Sequence, residues 1–580
     1  MANEDKPQGG VRLDMGFGSA FGGERQAAPA RSGADIPFRL VVVGDFGGAG
    51  DGRLRDISGD DISSLMAAFG AVAAMEVPNH LGSAPPALAI RLPLAALRDL
   101  DPKTLAARIP EIARAERLAA AYTDRRSEEN FEALARDPAL DRVAAELRHA
   151  TAPLAAPAPK AQPASEDDGS LDRLLGMVDV SNTAPQADPA QAAISAFLSS
   201  TAKPRQTQAG PTAGVSALLQ SQAREVAGHA SWLRLEAAWR SLRLIFAARG
   251  RHAATRLTLC DVPGEAVADL LQSEQFADAL ADQPEMTAIL VLGAFGRSPQ
   301  ALDALDRIAL AADRLSVPTI VSLAPDFLGA APADIATMDN PRALLEGPGY
   351  AAWRGLRGRD ESSSLFAAWN DIVLRPAGDG VPTLWGEAGV ILAAQILRSL
   401  ERQGWPTEIT GAETALDGLE MVEVDLRGGR RAAIPLRAPV ELGVARELGH
   451  EGIICLVCRA DRDQAWLTRA PAVHGHGAMA EADRKIMEDF SSLPFRFVSR
   501  CVEDVLHRNR ALFAGARSDG EAAAAMARLL DDVLLTTGQG AAAHVSPSDT
   551  DEEGRRHFEV SVRLGQSVMG GFSFSFDIAL

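Results

Sequence analysis

The chain has 580 residues, 47% of them hydrophobic and 23% charged, with a formal net charge of −19; at about 150 residues per domain it holds three to four units able to bury cores. That acidic balance, with no basic stripe interleaved with aromatics, excludes non-specific nucleic-acid binding, which needs clustered Lys and Arg to neutralise phosphate. Four cysteines exclude a disulfide scaffold and make the reducing cytoplasm the expected compartment; the start, MANEDKPQGG, lacks the basic patch and apolar run of a secretory signal, and apolar runs such as Ile391–Leu397 fall short of the ~20 residues that a membrane insertion needs.

In chain order, Val11–Phe17 (VRLDMGF) alternates apolar and polar residues and reads as a strand in an N-terminal arm, residues 1–30, with Val11 and Leu13 on one face. A first domain over 31–150 opens with a strand at 38–43, inside Phe38–Phe46 (FRLVVVGDF), which ends in a Gly-Asp-Phe turn. Gly47–Arg53 (GGAGDGR) then has the glycine spacing of a phosphate loop, but Arg53 and Leu54 stand where a Lys and a Ser or Thr must meet phosphate and Mg²⁺. A helix near 62–69, the segment Glu76–Leu81 (EVPNHL), the stretch Leu88–Leu100 and Pro138–Leu147 (PALDRVAAEL) follow.

Residues 151–217 read as a linker, because Thr151–Asp168 is Ala, Pro and acid, a composition too poor in apolar surface to offset the entropy of ordering. Two short apolar pieces interrupt it, Leu171–Val178 and Ala192–Leu198. The first sets Leu171, Leu174, Leu175 and Val178 at helical spacing on one face over 171–178, with Ser170 available as N-cap and Gly176 costing roughly 1 kcal/mol against alanine. A one-faced helix in a tether reads as a docking peptide; the alternative is that it packs on this subunit or a neighbour.

A second domain is expected over 218–515, with strands at 256–260, 287–292, 317–322, 420–425, 453–457 and 465–467 and helices near 231–248, 265–271, 299–314, 384–403 and 484–513. In Ser231–Phe246 (SWLRLEAAWRSLRLIF), Trp232, Leu235, Trp239, Leu242 and Phe246 fall within an arc of about 80° at helical spacing, one buried stripe, with Arg234, Glu236, Arg240 and Arg243 outside it. Trp385 and Trp405 frame the second such helix, Leu384–Trp405, and join the expected core. Residues 516–580 close the chain with a helix over Glu521–Leu535 and a hairpin of His557–Leu564 and Phe572–Ile578. Its alternating apolar side chains are Phe558, Val560, Val562, Phe572, Phe574 and Phe576. No helix follows to cover this pair, so pairing with another chain is the expected use of its edge.

The order LExxWRxL, then NPRxLxExPxYxxWRxLR at Asn340–Arg357, then LWGxA and RSLxRxGW resembles the large sheath subunit of type VI secretion machines, the TssC family. The stretches Phe38–Phe46, Glu76–Leu81, Leu88–Leu100 and Pro138–Leu147 resemble, in order, the small partner, TssB. The chain thus reads as a fusion, with resemblance over Ile36–His149 and Leu218–Leu580. The fold class implied is α/β, mixed sheets with helical cover in two fused sheath-type domains, plus terminal strands for β-augmentation between protomers. The resemblance implies self-association into a helical sheath around an inner tube of Hcp-like protein, contact with baseplate proteins, and recycling by a ClpV-like AAA+ ATPase that grips the helix of Leu171, Leu174, Leu175 and Val178.

Enzymatic readings find little chemistry. Asp261-Val262-Pro263-Gly264 imitates a GTPase DxxG, yet no guanine-specificity motif follows. Cys455 and Cys458 form a lone CxxC that a strand would turn to opposite faces, and His474 and His476 offer two metal ligands without a third. Asp531-Asp532 and Glu552-Glu553 read as ordinary surface charges, and Gly565-Gln566-Ser567 begins a nucleophile elbow that Met569 breaks. The expectation is a non-enzymatic sheath subunit without catalytic residues, cofactor or metal; the alternative is an α/β nucleotide-binding regulator or enzyme.

Overall fold

A computed structural model describes residues 37–57, 61–123, 128–149, 212–250, 255–281, 286–378, 380–426, 429–477, 487–548, 556–565, 568–569 and 572–579. The expected strand of Val11 and Leu13 and the expected docking helix of Leu171, Leu174, Leu175 and Val178 lie outside them.

Numbered along the chain, the strands are β1 (Phe38–Gly44), β2 (Leu54–Asp56), β3 (Val72–Pro78), β4 (Ala87–Pro93), β5 (Thr255–Asp261), β6 (Met286–Phe295), β7 (Thr319–Leu323), β8 (Leu365–Trp369), β9 (Ile372–Arg375), β10 (Leu384–Gly386), β11 (Val422–Asp425), β12 (Arg431–Ile434), β13 (Ile453–Cys458), β14 (Ala465–Leu467), β15 (Ala542–Pro547), β16 (His557–Arg563) and β17 (Ser573–Ala579). Eight form one sheet in the order β14-β13-β8-β7-β6-β1-β5-β2. Its six inner strands run parallel, and the edges β14 and β2 run antiparallel. Every residue of β1 is buried, because neighbours flank it on both sides and helices cover both faces, which is why it reads as an unbroken apolar run.

Two layers of helix cover the sheet. Val41, Ile289, Val291 and Val321 share a core with Leu302, Leu305 and Ile308 of the helix Pro299–Leu315. On the opposite face sits the helix Gly389–Gln403, whose first residue has no room for a side chain: a Cβ at Gly389 would lie 2.9 Å from Ser322 Oγ and 3.1 Å from Ile320 and Leu290. The close approach lets the Gly389 N–H donate to Ser322 Oγ at 2.9 Å.

The chain divides into two compact units, Met1–Met75, Arg91–Thr104 and Ala227–Leu580 in the first, Glu76–Ile90 and Leu105–Val226 in the second. The units interleave along the sequence: the chain crosses between them within β3, within β4, within the helix Pro102–Arg108 and again within the helix Thr212–Gly228, which starts inside the expected linker. In the second unit Asn79 shapes the EVPNHL turn, its Oδ1 accepting from the N–H groups of Leu81 (3.0 Å) and Gly82 (3.1 Å). Buried Gln222 accepts from the His80 N–H at 2.8 Å and donates to the Pro78 carbonyl at 3.1 Å. Val143, Ala144 and Leu147 pack there with Ile112, Ala115 and Leu118 from the helix Pro110–Thr123.

Several sequence expectations need correction. Leu384–Gly386 is a strand paired with β9, and the helix starts only at Gly389, ending where Gly404 takes a left-handed φ of 78°. Trp385 is half-buried, not core, with the Arg437 guanidinium 4.1 Å above its ring. In the helix Ala230–Arg249, Trp232, Leu235, Trp239 and Leu242 are buried as expected and Phe246 is only half-buried. Glu236, expected outside, is fully buried, because Arg240 (2.8 Å) and Arg375 (2.8 Å), the latter from β9, neutralise it. The expected helix 484–513 is interrupted at Ser492, which caps a new helix, Leu493–Arg508, and again at Asn509. The C-terminal hairpin has a third strand, β15, and Phe572 precedes β17 rather than lying in it.

Candidate functional site

The seam between β1 and β5 brings together residues more than 200 positions apart, which β1 does by lying between β5 and β6 with Val43 opposite Cys260 and Val291. Beyond the strand ends, the glycine-rich turn wraps the carboxylate of Asp261: the Phe46 N–H donates to Oδ1 at 2.8 Å and the Gly50 N–H to Oδ2 at 2.7 Å. The Gly52 N–H donates to the Asp261 carbonyl at 2.9 Å. Gly47 and Gly50 take left-handed φ values of 71° and 61°, and a Cβ at Gly48 would meet Asp261 Oδ2 at 2.7 Å. These turned N–H groups form an anion-binding concavity. Both imitations, the phosphate-type loop and the DxxG aspartate, therefore satisfy each other, and Asp261 occupies the position a phosphate would take.

Below this turn the seam continues with Arg39, which is buried and donates from Nε to Thr258 Oγ1 at 3.0 Å, while Thr258 donates to Asp56 Oδ1 at 2.6 Å. Trp239 closes it from the helix layer, its indole N–H donating to the Phe46 carbonyl at 3.2 Å and its ring 5.6 Å from Phe46 and 6.0 Å from Phe69, both edge-on.

The C-terminal sheet has the order β15-β16-β17, antiparallel throughout, with Phe558 opposite Ile578, Val560 opposite Phe576 and Val562 opposite Phe574. Phe558, Val560, Val562 and Phe574 are buried within the chain, Phe572 and Phe576 half-buried. Phe574 lies 5.1 Å from Phe495, and Phe572 lies 5.1 Å from Phe490. The apolar face serves the chain's own core. On the outer side of β17, it is the main chain that is left to pair, since β17 bonds to β16 alone among the described strands.

A cleft of about 350 Å³, which sequence reasoning missed, is lined by Arg342, Glu346, Arg354 and Arg357 together with His450, Glu451, His474, His476 and Glu488. The first four are polar positions of the NPRxLxExPxYxxWRxLR motif, whose Tyr350 and Trp353 are buried core; the spacing of its arginines was the available signal. Arg357 pairs with Glu451 and donates to the carbonyls of His450 (2.9 Å) and Val473 (3.3 Å). Glu488 is held by His450 (2.5 Å) and Arg469 (2.5 Å); although burial opposes it, these partners keep its carboxyl below the usual range. His474 and His476 stand edge to face at 5.3 Å, and burial, with His474 adding to it, lowers the pKa of His476. His476 Nε2 meets Ser491 Oγ at 2.9 Å. Among the described residues no three His, Cys, Asp or Glu side chains converge as a metal site. Cys455 and Cys458 are free thiols whose pKa values burial pushes up, that of Cys458 to about 12, which leaves little thiolate for ligation or redox exchange. No described helix is long and apolar enough to cross a membrane.

Two family descriptions match the chain: "Type VI secretion system, VipA, VC_A0107 or Hcp2" over residues 24–130, and "VipB: EvpB/VC_A0108, tail sheath N-terminal domain" over residues 212–377. No curated protein matches it. Among solved structures it is similar to a chain of the anti-feeding prophage baseplate, seen by cryo-EM, with 14% identity and a TM-score of 0.34 over 56% of this chain and 75% of that one. It is also similar to the anti-feeding prophage helical sheath in the contracted state, with 11% identity and a TM-score of 0.32 over 55% of this chain and 76% of that one. With a VipA region and a VipB tail sheath domain in a single polypeptide, the chain is a contractile-sheath subunit of the type VI secretion class.

Proposed function

We propose that the chain polymerises in the cytoplasm as a helical sheath around an inner tube of Hcp-like protein, attaches to baseplate proteins, and contracts to drive the tube and its effectors out of the cell. The observation that carries this reading is the seam: β1, from the VipA-matching region, lies between β5 and β6 of the VipB-matching region. Fusion sets their stoichiometry at one to one, and the shared sheet ties the first strand of the VipA-matching region into the VipB-matching one as a building block. Such a block needs no active site, because contraction is a rotation of rigid bodies between two packings.

Between blocks, the arm strand of Val11 and Leu13 and the edge of β17 are the proposed pairing elements, each main-chain bond contributing roughly 0.5–1.5 kcal/mol net. Disassembly is assigned to a ClpV-like ATPase engaging Leu171, Leu174, Leu175 and Val178. Negative-stain microscopy of the purified chain tests the reading. Tubules or cogwheel rings are expected; a monomer that binds nucleotide tightly would instead support the α/β nucleotide-binding alternative.

A further inference from the structure

The cleft around Arg357 has a charge pattern at odds with the molecule that carries it. The chain's net charge is −19, so copies repel one another at long range, and close association requires local complementarity. Four arginines and three histidines gather here, Arg342, Arg354, Arg357, Arg469, His450, His474 and His476, against Glu346, Glu451 and Glu488. The floor is internally satisfied, since Arg357, Glu451, His450, Glu488 and Arg469 are all engaged with one another or with carbonyls. The rim is not. Arg342 places Nε beside Glu346 (3.2 Å) and Glu451 (3.3 Å) and is half exposed. Arg354 uses only Nη1, toward the carbonyls of Leu345 (2.7 Å) and Gly347 (2.8 Å). Two guanidinium groups are thus held in place, with further N–H donors left for a carboxylate.

An acidic run of fitting charge exists in the same chain. Asp549, Asp551, Glu552 and Glu553 fall in the connection between β15 and β16. Both ends of that connection are anchored: Ser548 donates to the His557 carbonyl at 2.8 Å, and Arg556 pairs with Asp519 (3.4 Å) and donates to the Phe513 carbonyl (3.3 Å). Anchored ends lower the entropy cost of presenting the run to a partner.

We propose that the cleft receives the Asp549–Glu553 run of a second copy of the chain, as a charged contact within the polymer. The contact rests on the sheath reading and supplies register and salt sensitivity rather than bulk affinity. The test uses the full chain and measures the concentration needed for assembly, with thermal melting as the folding control. The wild type assembling at all secures the sheath reading separately. Arg342→Glu with Arg354→Glu, and Asp549→Lys with Asp551→Lys, Glu552→Lys and Glu553→Lys, should each raise that concentration by roughly tenfold or more. All six changes in one chain should restore it. The milder Arg342→Gln with Arg354→Gln should act in the same direction should the reversed pair fail to fold. Unchanged assembly by the folded cleft variants, or no restoration by the combined chain, overturns the proposal. So does an equal loss on neutralising Glu166, Asp167 and Asp168, which would place the tether in the cleft.

Discussion

Asp261 accepts a 2.7 Å hydrogen bond from the main chain of Gly50, 211 residues earlier, and so ties the turn after β1 to the end of β5. A carboxylate held by turned N–H groups is a charge-assisted contact, and here it is almost wholly out of water. Replacing Asp261 with Asn keeps the shape and removes the charge. The variant should lose about 1.5–3 kcal/mol, the usual worth of a hydrogen bond to a charged group. Urea unfolding checks this; an unchanged midpoint would mean that the turn is held by the strand pairing alone.

Trp239→Ala should destabilise the first unit by about 3–5 kcal/mol, the cost of emptying a large aromatic site. The indole is fully buried and fills the corner between Phe46 and Phe69. Its loss also leaves the Phe46 carbonyl without that donor. Calorimetry of the purified chain measures the effect.

Glu387 gives stability a pH dependence near neutrality. Burial raises its pKa from 4.5 to about 7, with Asp371 adding to the rise, and its Oε2 is buried without a partner. The folded state then holds this proton more tightly than the unfolded chain. Its contribution is fully present below about pH 4.5, falls as pH rises, and is lost above about 7. Glu387→Gln should flatten that slope, making the variant more stable than the wild type at pH 8 relative to pH 5. Equal slopes in paired melts would contradict the assignment.

Removing 572–580 should abolish polymerisation and also loosen the C-terminal sheet, since Phe574 is buried against Phe495 and Val562 lies opposite it. Hydrogen exchange should show lost protection in β15 and β16 with β1 and β6 unaffected. Tubules from the truncated protein would remove β17 from the lattice contacts.

Leu174→Ser with Leu175→Ser should spare assembly and contraction while preventing extraction of subunits by the ATPase. Each buried leucine contributes roughly 1.5–3 kcal/mol to a helix-in-groove contact, so two are enough to erase micromolar affinity. Contracted tubules, ATPase and ATP form the assay. Depolymerisation at the wild-type rate would dismiss the docking role, and failed assembly would point to a packing role.

Periodicity by itself determined the helix Ala230–Arg249 and the strand β1, because burial on one stripe or on both faces is written into which positions are apolar. It likewise determined that the glycine-rich loop has no lysine for a phosphate. What only the tertiary structure decided depends on partners remote in sequence. Glu236 reads as a solvent-facing charge until Arg375, 139 residues away, arrives beside it. Leu384–Gly386 reads as the first turn of a helix until β9 offers it a ladder. The alternation of β16 and β17 announces a sheet with one apolar face, but the sequence carries no record that Phe490 and Phe495 cover it. The cleft at Arg357 is assembled from three separate stretches, so its charges meet only once β8 and β13 lie side by side. Local pattern reports how much of a side chain is buried; which group it meets there is set by long-range pairing, and that is a property of the folded chain alone.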